Sequence, residues 1–197
     1  MKVAFGLKAH SGWAALVVLT KNRDEYVVVD RCRIDLVEAT WQKQPYHAAE
    51  GLESAQARKL VMQGISAANR IAIREMKLAI KREQKRDNEV IGCGVLVTEP
   101  MPDWSVDEIL SVHFRMHKAE GVLFRDALTQ AAKANELTVV QISEKTVTEY
   151  AAKALKISAD ELNESIKMLG KAVGPPWGKD QKEAALAAAV VLRGDRL

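Results

Sequence analysis

Residues 3–8, apolar up to Lys8, and the strongly apolar residues 13–20 form two runs separated by the Ser11-Gly12 pair. A polar turn, Lys21-Asn22-Arg23-Asp24, follows, and then a third run over 26–37 rich in β-branched residues. Short apolar runs bounded by turn residues predict strands. Three of them joined by short connections predict an antiparallel meander. The period then changes. Val61, Ile65, Ala68, Ala72, Met76 and Ala79 recur at spacings of three and four, the signature of one buried helical face. The helix is expected over 54–86, after a connection that Pro45 ends.

A fourth strand is expected over 89–98, stopped by Glu99-Pro100-Met101-Pro102. A helix over 106–135 and a short strand over 137–142 follow, with Ser143 as the cap of a further helix through Leu155. Ser158 opens another helix ending near Gly170, and Gly174-Pro175-Pro176-Trp177-Gly178 reads as a rigid loop. The last helix, 179–193, is alanine-rich and is expected to pack closely on a sheet. The order β-β-β-α-β-α-β, then helices, predicts an α/β fold with a mixed five-stranded sheet covered on both faces.

Composition narrows the class. The 197 residues suit a single domain, and 48% apolar with 28% charged is an ordinary globular balance. The net charge of +3 permits contact with nucleic acid without demanding it. Two cysteines, Cys32 and Cys93, lie inside apolar runs and lack zinc-site spacing, so a reduced, cytoplasmic protein is expected. Lys8 and His10 interrupt the N-terminal run, so neither a signal peptide nor a membrane span is read.

Four stretches carry a family resemblance. They are Phe5-Gly6-Leu7-Lys8 with Gly12-Trp13-Ala14; Val97-Thr98-Glu99; His117-Lys118-Ala119-Glu120-Gly121-Val122-Leu123; and Asp180-Gln181-Lys182-Glu183 before an alanine run. In this order the chain resembles the RuvC-like Holliday-junction resolvases, of the ribonuclease H-like superfamily. The resemblance implies a single ribonuclease H-like domain over 1–197 and a homodimer. It implies phosphodiester cleavage by two divalent ions, magnesium or manganese, held by four carboxylates. Glu99 would supply one acid, and Asp180 with Glu183 two more from one helical face.

The first-strand acid is missing. Its place is taken by Lys8, and residues 1–23 hold neither Asp nor Glu. A protonated lysine has no acceptor and would repel the ions. Lys8 is therefore expected to pair with Asp180 or Glu183 where a metal would sit, leaving no metal there and a remnant site of Glu99, Asp180 and Glu183. His10, Asp30 and Asp35 are the conceivable substitutes. Asp180 with Glu183 also fits a helix-capping pattern, and both roles can coexist.

Outside that set, Lys77, Lys81, Arg82 and Lys85 lie in a basic run from Arg70 to Arg86 that fits either a phosphate track or a solvated helix end. Trp177 could stack on a base or pack over a domain edge. His113, His117 and Glu120 share a helical face, and two histidines one turn apart can hold zinc, but with no clear third ligand a partly buried or surface histidine pair is expected. The leading expectation is a RuvC-like protein that binds branched or structured nucleic acid, with catalysis lost or much reduced. The alternatives are an active metal-dependent nuclease with a rearranged acid set, and a non-catalytic scaffold with a protein partner.

Overall fold

The computed structural model describes residues 1–23 and 25–194; Asp24 of the expected polar turn lies outside them. The described residues form a five-stranded sheet in the order β3-β2-β1-β4-β5. Strands β1 (Lys2–His10), β2 (Trp13–Asn22) and β3 (Glu25–Asp35) are the expected antiparallel meander, with His10 opposite Trp13 at the first hairpin. Gly12 turns that hairpin at a φ of 84°, a conformation open to glycine. Strands β4 (Glu89–Val97) and β5 (Val139–Ser143) add in parallel, β4 beside β1.

The connections are helical: α1 (Pro45–Ala48), α2 (Ser54–Gln84), α3 (Val106–Leu110), α4 (His113–Ala134), α5 (Val147–Leu155), α6 (Ala159–Val173) and α7 (Lys179–Gly194). Side chains alternate across a strand, so β1 feeds two cores. Val3, Phe5, Leu7 and Ala9 pack with Ala68, Ala72 and Met76 of α2 and with Phe124 and Leu128 of α4. Ala4 packs with α5 and α7 on the other face. The sheet is covered on both sides. None of the described helices is long and apolar enough to cross a membrane.

Four boundaries differ from expectation. The helix expected over 106–135 is two helices. Val112 between them is extended (φ −140°, ψ 113°), and the Ser111 hydroxyl and Arg115 guanidinium both donate to the Glu108 carbonyl at the break. Residue 137 lies between α4 and β5, which begins at Val139, because Leu137 N–H closes back on the Ala132 carbonyl past the helix end. Ser143 makes no side-chain cap bond; a 3-10 turn, Glu144–Thr146, comes before α5 and holds Glu144 against Arg125 at 2.7 Å. The connection after β3 holds a 3-10 turn, Thr40–Lys43, and α1, neither expected from the pattern.

The closest packing is under α7. A Cβ on Gly6 of β1 would stand 1.8 Å from the Ala184 carbonyl oxygen, and one on Gly94 of β4 2.5 Å from that of Ala187. Glycine on the strands and alanine on the helix together bring backbone to backbone. This contact sets the height of the first turn of α7 above β1.

Candidate functional site

Lys8 follows Gly6 on the same face of β1, and Glu183 precedes Ala184 on α7. The Gly6–Ala184 contact therefore seats the two side chains opposite each other. Lys8 Nζ donates to Glu183 Oε2 at 2.5 Å and lies 3.3 Å from Asp180 Oδ1. Only 8% of the Lys8 side chain is exposed, against 15% for Glu183 and 27% for Asp180. A buried charge needs this pairing. Burial alone would pull the Lys8 ammonium below its ordinary pKa, but Glu183 and Asp180 outweigh that and hold it above. At Asp180 burial works to raise the carboxyl's pKa, yet His10 and Lys8 prevail and keep it below the ordinary range.

His10 stands two residues beyond Lys8, on the same face. Its Nε2 is 3.1 Å from Asp180 Oδ1. Its ring stacks on Trp13, with centroids 4.3 Å apart, and the Arg33 guanidinium lies over the Trp13 ring at 4.4 Å. Lys179, largely exposed, adds a weaker contact to Glu183 at 3.7 Å. The i, i+2 spacing of Lys8 and His10 on a strand was the sequence signal for this neighbour.

The capping alternative for Asp180 is not the arrangement found. Asp180 lies inside the first turn of α7, and the Gln181 side chain accepts from Gly178 N–H at 2.9 Å. Gln181 thus serves the helix end, and the Asp180 carboxylate is left to Lys8 and His10. An acid in that turn also suits the helix dipole.

Glu99 sits apart. It follows β4, is 69% exposed, and bonds Lys145 at 2.6 Å. That hydrogen bond and charge hold its carboxyl below the usual range. No contact joins it to Lys8, Asp180 or Glu183 among the described residues. The possible substitutes on β3 are committed elsewhere: Asp30 to Arg82 and Arg86, each at 3.1 Å, and Asp35 to Arg33 at 3.0 Å. A carboxylate-held metal pair does not fit here, because the Lys8 ammonium bridges the two carboxylates that would hold it.

The basic run lies at the other end of the sheet. α2 ends beside the start of β1, where the Met1 amino group bonds the Asp87 carbonyl. Lys8 and His10 are at the far end of that strand. Arg82 is half-buried and donates to Asp30 and to the Cys32 sulfur. Lys77, Lys81 and Lys85 are exposed and make no ion pair among the described residues. Trp177 is half-buried; its indole N–H donates to the Ile166 carbonyl at 3.0 Å, and the ring lies against Gly170. Its loop is gripped by Arg31, which donates to the carbonyls of Val173, Gly174, Pro175 and Pro176. The tryptophan thus packs against α6 from the loop that follows it.

No protein-family model and no curated protein sequence matches the chain. Among solved structures it is similar to that of Thermus thermophilus RuvC, at 13% identity over 98% of this chain and 95% of that one, with a TM-score of 0.51. It is likewise similar to T. thermophilus RuvC in complex with Holliday junction substrate, at 10% identity over 100% of this chain and 96% of that one, with a TM-score of 0.52. Full-length likeness at such low identity speaks to architecture: the chain has the fold of RuvC, a mixed sheet consistent with a ribonuclease H-like fold.

Proposed function

We propose that this protein is a RuvC-like nucleic-acid-binding protein whose nuclease activity is lost or much reduced. The observation that carries the reading is the Lys8 ammonium held between Glu183 and Asp180 at 2.5 and 3.3 Å. A fixed, buried positive charge stands where a divalent pair would need negative ligands, and two-metal chemistry needs both ions. Glu99, the third acid, is turned to Lys145.

Binding is supported by the fold, since one structural neighbour is a RuvC in complex with Holliday junction substrate. It is also supported by Lys77, Lys81 and Lys85. Lys77 and Lys81 on α2 and Lys85 at its C-cap are spaced four apart and form one stripe, with about 6 Å along the helix axis between successive members. Phosphate contacts of this kind give affinity without sequence preference.

The test is binding to four-way junction DNA across a salt series, with cleavage followed in magnesium and in manganese. The reading expects binding at low ionic strength that falls steeply with salt, and intact DNA. Absence of binding at low salt overturns the binding half. Cleavage that disappears in Asp180→Asn overturns the loss of catalysis.

A further inference from the structure

We propose that His47, His113 and His117 form a divalent transition-metal site, best suited to zinc, independent of the Lys8 cluster. The missing partner of the His113–His117 pair comes from α1, 66 residues earlier in the chain than His113. One ring nitrogen of each histidine lies within 4.8 Å of those of the other two. His113 Nε2 and His117 Nε2 are 3.1 Å apart. Zn–N bonds of ~2.0–2.1 Å in tetrahedral geometry place ligand nitrogens about 3.3 Å apart. The pair is already at that spacing, and a small movement of the His47 ring completes the set.

The surroundings are those of a metal ligand. Glu120 is one turn beyond His117 and 5% exposed. Its Oε1 accepts from the backbone N–H groups of Tyr46 and His47, each at 3.1 Å, and its Oε2 lies 2.7 Å from His47 Nδ1. A carboxylate accepting from Nδ1–H fixes the tautomer and leaves the lone pair on Nε2. That nitrogen is buried and has no hydrogen-bond partner. A buried acceptor without a donor is costly, and a cation between the three rings would satisfy it. The carboxylate–histidine–metal relay is a recurring device for orienting a ligand.

The position of His47 is well held. Pro45 of α1 packs into Gly64 of α2, where a Cβ would stand 2.6 Å from the proline ring. Tyr46 is buried beside it. Three neutral imidazoles select zinc or a similar borderline ion over magnesium or calcium. His113 and His117 are exposed, so a fourth coordination position faces solvent and takes water or an exogenous oxygen or nitrogen ligand. This is the open pattern of three protein ligands, unlike a closed four-ligand structural site.

Calorimetric titration of Zn2+ into tag-free, chelator-stripped protein tests the site without any nucleic acid. One ion per chain is expected. His113→Ala or His117→Ala, both at exposed positions, should weaken binding by more than about 100-fold, and Glu120→Gln by about 10- to 100-fold, with the fold checked by circular dichroism. Co2+ in place of zinc should give visible ligand-field bands of a low-coordinate nitrogen site, lost in His117→Ala. No stoichiometric Zn2+ binding, or binding unchanged in His113→Ala and His117→Ala, overturns the proposal.

Discussion

Lys8 Nζ and Glu183 Oε2 meet at 2.5 Å, across 175 residues of sequence and between the first strand and the last helix. Asp180, one helical turn earlier, closes the other side of the ammonium at 3.3 Å. The pairing joins the N- and C-terminal elements of the domain. It also fixes a positive charge at the centre of the candidate site.

Removing that charge strands two carboxylates beside each other. Breaking one side of a buried ion pair costs about 3–5 kcal/mol, and the partial exposure of Asp180 puts Lys8→Met at the lower end, about 3 kcal/mol. Urea denaturation of the single variants and of Lys8→Met with Glu183→Gln should show the double change costing less than the sum of the two. Strict additivity would mean that the contact carries no coupling.

The same contact sets a pH dependence. The Lys8 pKa is raised in the folded state, so its contribution is complete below the unfolded lysine value of ~10.4 and is lost as pH rises through the folded value. The Asp180 pKa is lowered, so its contribution is complete above about 3.9 and is lost as pH falls through the folded value. The stability difference between the native chain and Lys8→Met should therefore be flat from about pH 5 to 9 and shrink at both extremes. Chemical denaturation at a series of pH values reads this directly.

Much of this was legible in the sequence because strand patterning and an acid-free first strand are local facts. The meander, α2, β4 and the alanine-rich α7 follow from the pattern of apolar residues, and the family resemblance led to the expectation that Lys8 pairs with Asp180 or Glu183. What escaped depended on tertiary contacts. The break at Val112 arises from bonds to the Glu108 carbonyl, and α1 is too short to show a period. His47 is far from His113 and His117 in sequence, so the three-histidine cluster exists only once α1 has packed on α2 and α4. Glu120 shares the helical face of His113 and His117, but that its carboxylate meets His47 Nδ1 is a tertiary fact. Glu99 shows that a position at the end of β4 does not fix where a side chain turns.

Gly6 provides a structural control. Gly6→Ala would put a methyl group 1.8 Å from the Ala184 carbonyl oxygen, and backbone cannot yield as a side chain can. Overpacking typically costs about 1–3 kcal/mol, and this site should reach the upper end or beyond. A melting temperature within a degree of the native chain would show that α7 does not sit where described.

The lysine stripe makes a separate claim. Replacing Lys77, Lys81 and Lys85 by alanine should weaken junction binding and flatten its salt dependence by up to about 0.9 in log–log slope per lost phosphate contact. An unchanged slope would move the phosphate contacts elsewhere on the surface. Glu99→Gln, by contrast, should leave melting and binding as they are, because exposed ion pairs such as Glu99–Lys145 contribute little.

If Lys8 fills the place of the metals, the Asp180–Glu183 cluster should take up no Mn2+ in the native chain. Titration should be followed by electron paramagnetic resonance in a His113→Ala/His117→Ala background, which removes the histidine site. No Mn2+ should bind at the Asp180–Glu183 cluster while Lys8 is present, and binding should be gained when Lys8→Asp supplies a carboxylate. Mn2+ bound with Lys8 in place, and released by Asp180→Asn, would contradict it.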